Sequence, residues 1–359
     1  MPAYNYGVEN FNKFIISKRT LINNILAIKS RLKTGVLFCA CLKANAYSCG
    51  AKPIATTIEN YVDYFAVNST SEALEIRSAC PAAKIMVLGK TSKENYEICA
   101  KNNIDISVCS PTDLKNLKLS SNLNVFLSLN TGMNRYGSNS EKEIKTILKL
   151  IKHNKKINLV GAFSHFATGL DNNDNCNKQY NKFCELKKLL PQNIIFSISA
   201  SGTCYSENFQ ENMVRVGLNI FAGNAENATN IIKLESKIVH VLKVKKGESI
   251  SYGCTFVAQK DMLVGIVPLG YADGIPRELS NIGKVIINEK LAPIVGLVCM
   301  DCFMVCLDGI KSKEGTSVLV LGSTNKHKIS IYDWAKQTGK SPYSLLTNLD
   351  YSRCTYAIE

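Results

Sequence analysis

No apolar run in the sequence approaches the ~18 residues that a helix needs to cross a bilayer. The opening stretch, MPAYNYGVENFNKF, has no apolar core behind a basic start, so no secretory signal is expected and a cytoplasmic location is. Histidine is scarce, with four in 359 residues, and no spacing offers the two separated ligand pairs of a structural zinc site. The nearest approach is Cys299-x-x-Cys302-x-x-x-Cys306. It lies in an apolar run where strand alternation would turn Cys299 and Cys302 to opposite faces, so no metal is expected. Acidic residues are also few: 29 Asp and Glu against 43 Lys and Arg, a net charge of +14. That excess raises the question of nucleic acid. The lysines, however, are scattered or sit in short runs such as Lys152–Lys156 and Lys243–Glu248, which suit solvated faces and turns. No basic stripe with a recognition motif accompanies them, so neither nucleic acid nor membrane is expected as a partner. Cysteine is not scarce, but a chain of this length is no small disulfide scaffold. Cys39, Cys41, Cys109 and Cys306 sit inside apolar runs and read as reduced, buried thiols.

What is present has two textures. From Thr34 to about Gly223, short β-branched or aromatic runs alternate with helical spacing. The runs are GVLFCA, YFAV, KIMVLG, IDISVC, LNVFLSL, INLVGAF, NIIFSIS and LNIFAG. Between them, SEALEIRSAC opens on a capping box, Ser69-x-x-Glu72, and the segment after Ser140 places Ile144, Ile147, Leu148 and Ile151 on one helical face. Continuous apolar strands alternating with helices imply a parallel sheet covered on both sides. Eight of them are the number that closes a (β/α)8 TIM-type barrel, although an open doubly wound sheet shares the pattern. After about Asn230 the runs become strands separated by Gly, Pro and charged turns, with little helical spacing before ISIYDWAKQTG. The expectation is an α/β chain: a barrel over residues 1–231, then a mainly β domain over 232–359.

Lys43, in CLKANAYSCG, follows the first of these strands at its carboxyl end, the rim where barrel active sites are built. A lysine partly desolvated there becomes a usable amine nucleophile or base. Position alone is better served by a rim lysine in solvent, since lysine is rarely buried.

The motif LKANAYSCG resembles the K-A-N-A-Y-G-H-G segment of the alanine racemases, and the likeness extends from about Tyr4 to Tyr356 in the same order. LNTGMNRYG is similar to D-T-G-M-x-R-x-G, SHFATGLD to S/T-H-F-A-x-A-D, and RVGLNIFAG to R-P-G-I-x-L-Y-G. SYGCTF, GYADGIPRELS and VGLVCMDCFMV match S-Y-G-x-T-F/Y, G-Y-A-D-G-Y-x-R-x-L-S and V-G-R-V-S/C-M-D-x-x-x-V. The resemblance implies an N-terminal (β/α)8 barrel, a β-rich second domain, and an isomerase that interconverts L- and D-alanine for peptidoglycan synthesis in the cell wall. It implies pyridoxal 5'-phosphate attached to Lys43, which would be one of two bases. Tyr252, contributed by the other subunit of a homodimer, would be the second.

The same resemblance assigns the remaining residues. Arg215 would face the pyridine nitrogen, and His165 would link that arginine to the catalytic tyrosine. Ser201, the amides of Gly217 and Leu218, Tyr47 and Tyr343 would hold the phosphate. Arg135 would contact the substrate carboxylate. Met300, Asp301 and Tyr271 would line the approach to the site from the partner subunit. Taken singly, Tyr252 reads as a strand-end aromatic in packing contact, His165 as a satisfied core histidine, Ser201 and Gly217 as an ordinary loop, and Arg135 as half of a loop salt bridge.

Departures from the family pattern are also visible. Ser128 and Asn130 stand where many members have a carbamylated lysine and an aspartate, so an anion such as chloride held by Asn130 and Arg135 is expected in their place. Leu297, Phe221, Ser48 and Cys49 also differ, and of the final R-V-P-R only Arg353 is kept. Three other readings share features with this one. A basic amino-acid decarboxylase would carry a glutamate at the ring nitrogen and an E-P-G-R phosphate segment, where this chain has Arg215 and RVGL. A pyridoxal-phosphate carrier would lack the second domain. A racemase of broader specificity, acting on serine or lysine, shares every motif named.

Overall fold

The computed structural model describes residues 11–169, 174–224, 227 and 229–359. Tyr4, and Leu170 and Asp171 of the SHFATGLD motif, lie outside the described residues. The chain divides into two compact units. One holds the chain up to Leu21, Tyr47–Cys49 and Phe221–Glu359; the other holds Ile22–Ala46 and Gly50–Ile220.

The strands in chain order begin with β1 (Lys13–Ile16), which belongs to the first of these units. The second unit is built on β2 (Leu37–Cys41), β3 (Tyr64–Val67), β4 (Ile85–Lys90), β5 (Ile104–Val108), β6 (Leu123–Ser128), β7 (Ile157–Phe163), β8 (Ile195–Ser197) and β9 (Met213–Val216). These pair in parallel in the order β8-β7-β6-β5-β4-β3-β2-β9. The two ends of the sheet approach each other past β8, where the Arg215 amide donates to the Ser199 carbonyl at 3.1 Å, so the barrel is nearly closed. The strands are buried along almost their whole length, which is why they read as unbroken apolar runs. Helices between them start as their sequences require. Ser69 and Glu72 form the capping box of helix Thr70–Ala79, and Ser140 caps helix Glu141–His153, whose Ile144 and Ile147 are fully buried.

One strand differs from the sequence expectation. LNIFAG does not form the eighth strand; Leu218–Ala222 is a short helix, and the eighth strand is β9, with sequence MVRV. The arginine at its centre interrupts the apolar run that marks the others, and no periodicity separates a five-residue apolar strand from a five-residue apolar helix.

The amino ends of the barrel strands carry a polar plug. Asp105, buried, accepts from the Tyr64 hydroxyl at 3.3 Å and from Asn124 Nδ2 at 3.0 Å. Desolvation raises its pKa, and these two donors oppose the rise. Above the plug, Gly161 lies against the Phe126 ring; a Cβ there would come within 2.2 Å of it. The carboxyl ends are thereby left as the open rim.

The β-rich unit contains β10 (Ile232–Lys237), β11 (His240–Val244), β12 (Ser249–Ile250), β13 (Phe256–Val257), β14 (Met262–Val267), β15 (Lys284–Ile287), β16 (Lys290–Pro293), β17 (Phe303–Cys306), β18 (Ser317–Ser323), β19 (Lys328–Ile329) and β20 (Thr355–Ile358). Its largest sheet runs β16-β15-β18-β10-β1-β20, with β19 on β18. Here β1 pairs antiparallel with β10 and parallel with β20, so the beginning and end of the described chain lie side by side. A second sheet, β11-β14-β17, packs around Ile250, Ala258, Met262, Val264, Val295 and Met304. Among the described residues no helix is long and apolar enough to cross a membrane.

Candidate active site

Lys43 leaves β2 two residues past its last member and is half-buried at the rim. The turn it opens, Lys43–Ser48, is helical with the wrong hand. Ala44, Asn45, Ala46, Tyr47 and Ser48 have φ of 54°, 53°, 51°, 56° and 63°. For L-residues this conformation costs about 1–2 kcal/mol each, so the turn stores roughly 5–10 kcal/mol that its surroundings must offset. Several hydrogen bonds do so. The Ala44 amide donates to Glu72 Oε1 at 2.7 Å, the Ala46 amide to the Leu42 carbonyl at 2.8 Å, and the Ala51 amide to Asn45 Oδ1 at 2.7 Å. Ser48 Oγ donates to the Thr347 carbonyl at 2.8 Å. Glu72 therefore has two tasks. Its other oxygen accepts from the Asn68 and Ser69 amides at 2.6 and 3.1 Å and caps the next helix, while Oε1 fixes the first amide after the lysine. The turn contains no glycine, so nothing in the sequence announces its hand.

Arg215 points from β9 into the barrel and is 3 % exposed. Its guanidinium donates to Ser197 Oγ and to the Ser164 carbonyl, both at 2.5 Å, and lies over the Phe163 ring at 5.0 Å. Nη2 is 3.5 Å from His165 Nδ1. Arginine can only donate, so Nδ1 is the acceptor in this pair and the imidazole proton sits on Nε2. Desolvation first, then the positive charges of Arg215, Arg135 and Lys43, lower the His165 pKa to about 3. The histidine is therefore neutral near neutral pH, and those three cations face it from one rim. The structure brings Arg215 and His165, both singled out in the sequence, to this distance. Sequence reasoning missed Ser164 and Ser197, the small polar residues that satisfy the buried guanidinium.

Ser201 is 3 % exposed, and its Oγ accepts from the Gly217 amide at 2.9 Å. Leu218 follows at the start of the short helix Leu218–Ala222. Asn219, which sequence reasoning did not single out, donates through Nδ2 to the Ser201 carbonyl at 2.8 Å and fixes that loop. In the other unit, the Tyr47 and Tyr343 rings lie 6.3 Å apart, and Tyr47 lies 5.0 Å from Phe221. Arg135 is exposed and, among the described residues, forms no ion pair. Asn130 beside it is engaged in its own loop. Its Oδ1 accepts from the Gly132 and Asn134 amides, both at 3.1 Å, and Nδ2 donates to Asn134 Oδ1 at 3.0 Å. Ser128 is buried.

Tyr252 is 70 % exposed, which overturns packing as its role within this chain. It is raised on a strained hump, since Ser251, Gly253 and Cys254 have φ of 68°, 68° and 50°. Tyr271, Met300 and Asp301 are exposed, and their two segments, distant in sequence, are locked to one another in structure. The Tyr271 and Ala272 amides donate to the Cys299 and Met300 carbonyls, both at 3.0 Å. Gly270 makes this approach possible; a Cβ there would be 2.1 Å from the Met300 oxygen. Arg353 ties the two segments together. It donates to both oxygens of buried Asp273 at 2.8 and 2.7 Å and to Asp301 Oδ1 at 2.5 Å. Removing the cation in Arg353→Met strands a buried carboxylate and is expected to lower the unfolding free energy by at least about 2 kcal/mol. Arg353→Met/Asp273→Asn should recover part of this in urea unfolding followed by circular dichroism. A single variant within about 0.5 kcal/mol of native would show that water replaces the arginine.

The cysteines require a correction. Cys299 and Cys302 are not on opposite faces of a strand. β17 begins at Phe303, the Cys299 amide donates to the Cys302 carbonyl at 2.9 Å across a turn made by Met300 and Asp301, and the two thiols are in hydrogen-bonding contact. A turn reverses the chain where alternation assumed extension. Burial, then Cys299, push the Cys302 thiol up to about 11. All fourteen cysteines are free; Cys39 and Cys41 are buried, but Cys109 and Cys306 are only half-buried. Among the described residues no group of three His, Cys, Asp or Glu could hold a metal ion.

Residues 16–225 match the family described as "Alanine racemase, N-terminal domain", and residues 231–356 match "Alanine racemase, C-terminal domain". The chain is 31 % identical to the alanine racemase of Helicobacter acinonychis, over 93 % of this chain and 95 % of that protein. It is 31 % identical to that of Ligilactobacillus salivarius, over 96 % and 97 %. Among solved structures, the alanine racemase from E. faecalis superposes with a TM-score of 0.92 at 25 % identity, covering 98 % of this chain and 99 % of that one. That from Bacillus anthracis, with bound L-Ala-P, gives 0.89 at 27 %, covering 98 % and 96 %. With both halves matched and these relatives spanning nearly its whole length, the chain belongs to the alanine racemase family.

Proposed function

We propose that the chain is a pyridoxal-phosphate-dependent racemase that interconverts L- and D-alanine and supplies D-alanine for peptidoglycan. The observation that carries this reading is the set of groups on one barrel rim: an amine on Lys43, a donor-only Arg215 and a neutral His165 bonded to it, with the buried Ser201 hydroxyl meeting the Gly217 amide. These fit the cofactor. Ser201 Oγ and the Gly217 and Leu218 amides would supply phosphate donors, and the family resemblance adds the Tyr47 and Tyr343 hydroxyls. When bound, pyridoxal phosphate supplies an electron sink for the pair left behind when the Cα proton departs.

The protein's own work is positioning and proton transfer. Lys43 holds the cofactor and serves one face of Cα. Tyr252 of a second copy serves the other, because inversion requires a proton to leave one face and return to the opposite one. Arg215 can only donate, so facing the ring nitrogen it would leave that nitrogen unprotonated and limit how far the sink draws charge. His165, accepting from Arg215 on Nδ1, retains a proton on Nε2 to donate toward the tyrosine. Arg135 takes the substrate carboxylate in a charge-assisted contact, and Met300, Asp301 and Tyr271 of the second copy shape the approach. The phenol of Tyr252, 70 % exposed, is open to a second copy, which supports a homodimer. Cytoplasmic residence is consistent with the free thiols.

The test is a racemisation assay on purified enzyme, read by chiral chromatography over alanine, serine and lysine, with and without chloride. Alanine should be converted from both enantiomers at equal kcat/KM, because the equilibrium constant is unity. Turnover that falls on removing chloride would support an anion beside Arg135. Amine products from a basic amino acid, or no turnover of alanine by yellow protein, would overturn the reading.

A further inference from the structure

Helix Asp174–Lys187 buries Cys176, Gln179, Phe183 and Leu186, a stripe in which helical spacing calls for apolar side chains. Gln179 breaks the stripe, at 5 % exposure, and a buried amide is costly unless its hydrogen bonds are made. All are made to the rim. Oε1 accepts from the Ala167 amide at 2.8 Å, and Nε2 donates to the His165 carbonyl at 3.1 Å and to Thr131 Oγ1 at 3.3 Å. Thr131 Oγ1 in turn pairs with Ser164 Oγ at 2.8 Å, and the Ser164 carbonyl receives the Arg215 guanidinium. One amide thus clasps the loop after β7, which carries His165, and the loop after β6, which leads to Arg135. Gly132 lies against it; a Cβ at that position would be 3.5 Å from Gln179 Cγ.

We infer that Gln179 is a positioning residue that holds His165 and the Arg135 loop in register with Arg215. The inference rests on the roles proposed above for His165 and Arg135. Glutamine is required rather than glutamate because two of its three contacts need a donor, and a carboxylate would face the His165 carbonyl oxygen with like partial charge.

Two variants and a native control test it. In Gln179→Met, hydrogen exchange read by NMR should show the Ala167 amide losing at least about tenfold protection while amides in β6 and β7 are unchanged. The His165 ring signals should shift, and kcat/KM for alanine should fall about 10- to 100-fold, with a rise in KM from the displaced arginine. Gln179→Glu should be impaired at neutral pH and recover toward native activity as the pH falls, because the protonated carboxyl regains a donor; native enzyme should show no such recovery. Unchanged His165 signals in Gln179→Met, or a Gln179→Glu pH profile that overlays the native one, would overturn the inference. Shifted His165 signals in a protein whose native form does not racemise alanine would leave Gln179 as the clasp and remove the functional reading instead.

Discussion

Lys43→Ala protein mixed with pyridoxal phosphate will stay colourless after gel filtration, and its racemisation of alanine will fall by at least about 10⁴-fold. Two losses combine in that number. The tether that presents the cofactor's reactive carbon is gone, and with it the effective concentration that an intramolecular amine supplies. The base on one face of Cα is gone as well. Far-UV circular dichroism should be unchanged, because Lys43 is half-buried and the strained turn after it is held through Ala44, Asn45, Ala46 and Ser48. Methylamine added in excess should restore part of the activity if the missing element is an amine. A Lys43→Ala protein that remains yellow and active would mean that another residue carries the cofactor, and would end the proposed chemistry.

Tyr252→Phe will bind cofactor and keep its colour, yet net racemisation will drop by about 10²–10⁴-fold, the span expected for one general acid–base group. Because the equilibrium constant is fixed, this drop must be the same from both enantiomers. The asymmetry shows elsewhere. In D₂O, the enantiomer whose Cα proton faces Lys43 will still exchange it with retention, since the lysine can remove and return on its own side. The other enantiomer will exchange slower by a factor similar to the loss in racemisation. Proton NMR of each alanine enantiomer separately reads both rates. Equal slowing of the two exchanges would sink the assignment of opposite faces to these two residues. The substitution removes one hydroxyl from a side chain that is 70 % exposed, so no change in stability should accompany it.

Much of the architecture was legible because it is written in local periodicity. Seven barrel strands and the capped helices after Ser69 and Ser140 follow directly from runs, spacing and cap residues. The motif resemblance singled out Lys43, His165 and Arg215, and the last two lie 3.5 Å apart. What was not legible depends on distant partners. MVRV was hidden as a strand because a buried arginine is tolerable only once Ser164 and Ser197 meet it, and neither is near in sequence. The partnership of β1 with β20 joins Lys13 to Thr355 and has no local signal. The Cys299–Cys302 turn reads as strand until Gly270 is seen to leave room for the Met300 carbonyl. Gln179 reads as one polar residue in a polar helix, since only burial distinguishes it from its neighbours.

The mirror-handed turn behind Lys43 has a bearing on how the enzyme comes into being. Short-range forces in a nascent polypeptide would coil Ala44–Ser48 the opposite way. The contacts that reverse it come from Glu72 for Ala44 and from Thr347 for Ser48, the latter 299 positions downstream. The last of the contacts that hold the attachment turn is therefore made only when the ribosome has nearly finished, and the complete set belongs to the finished product rather than to its first half.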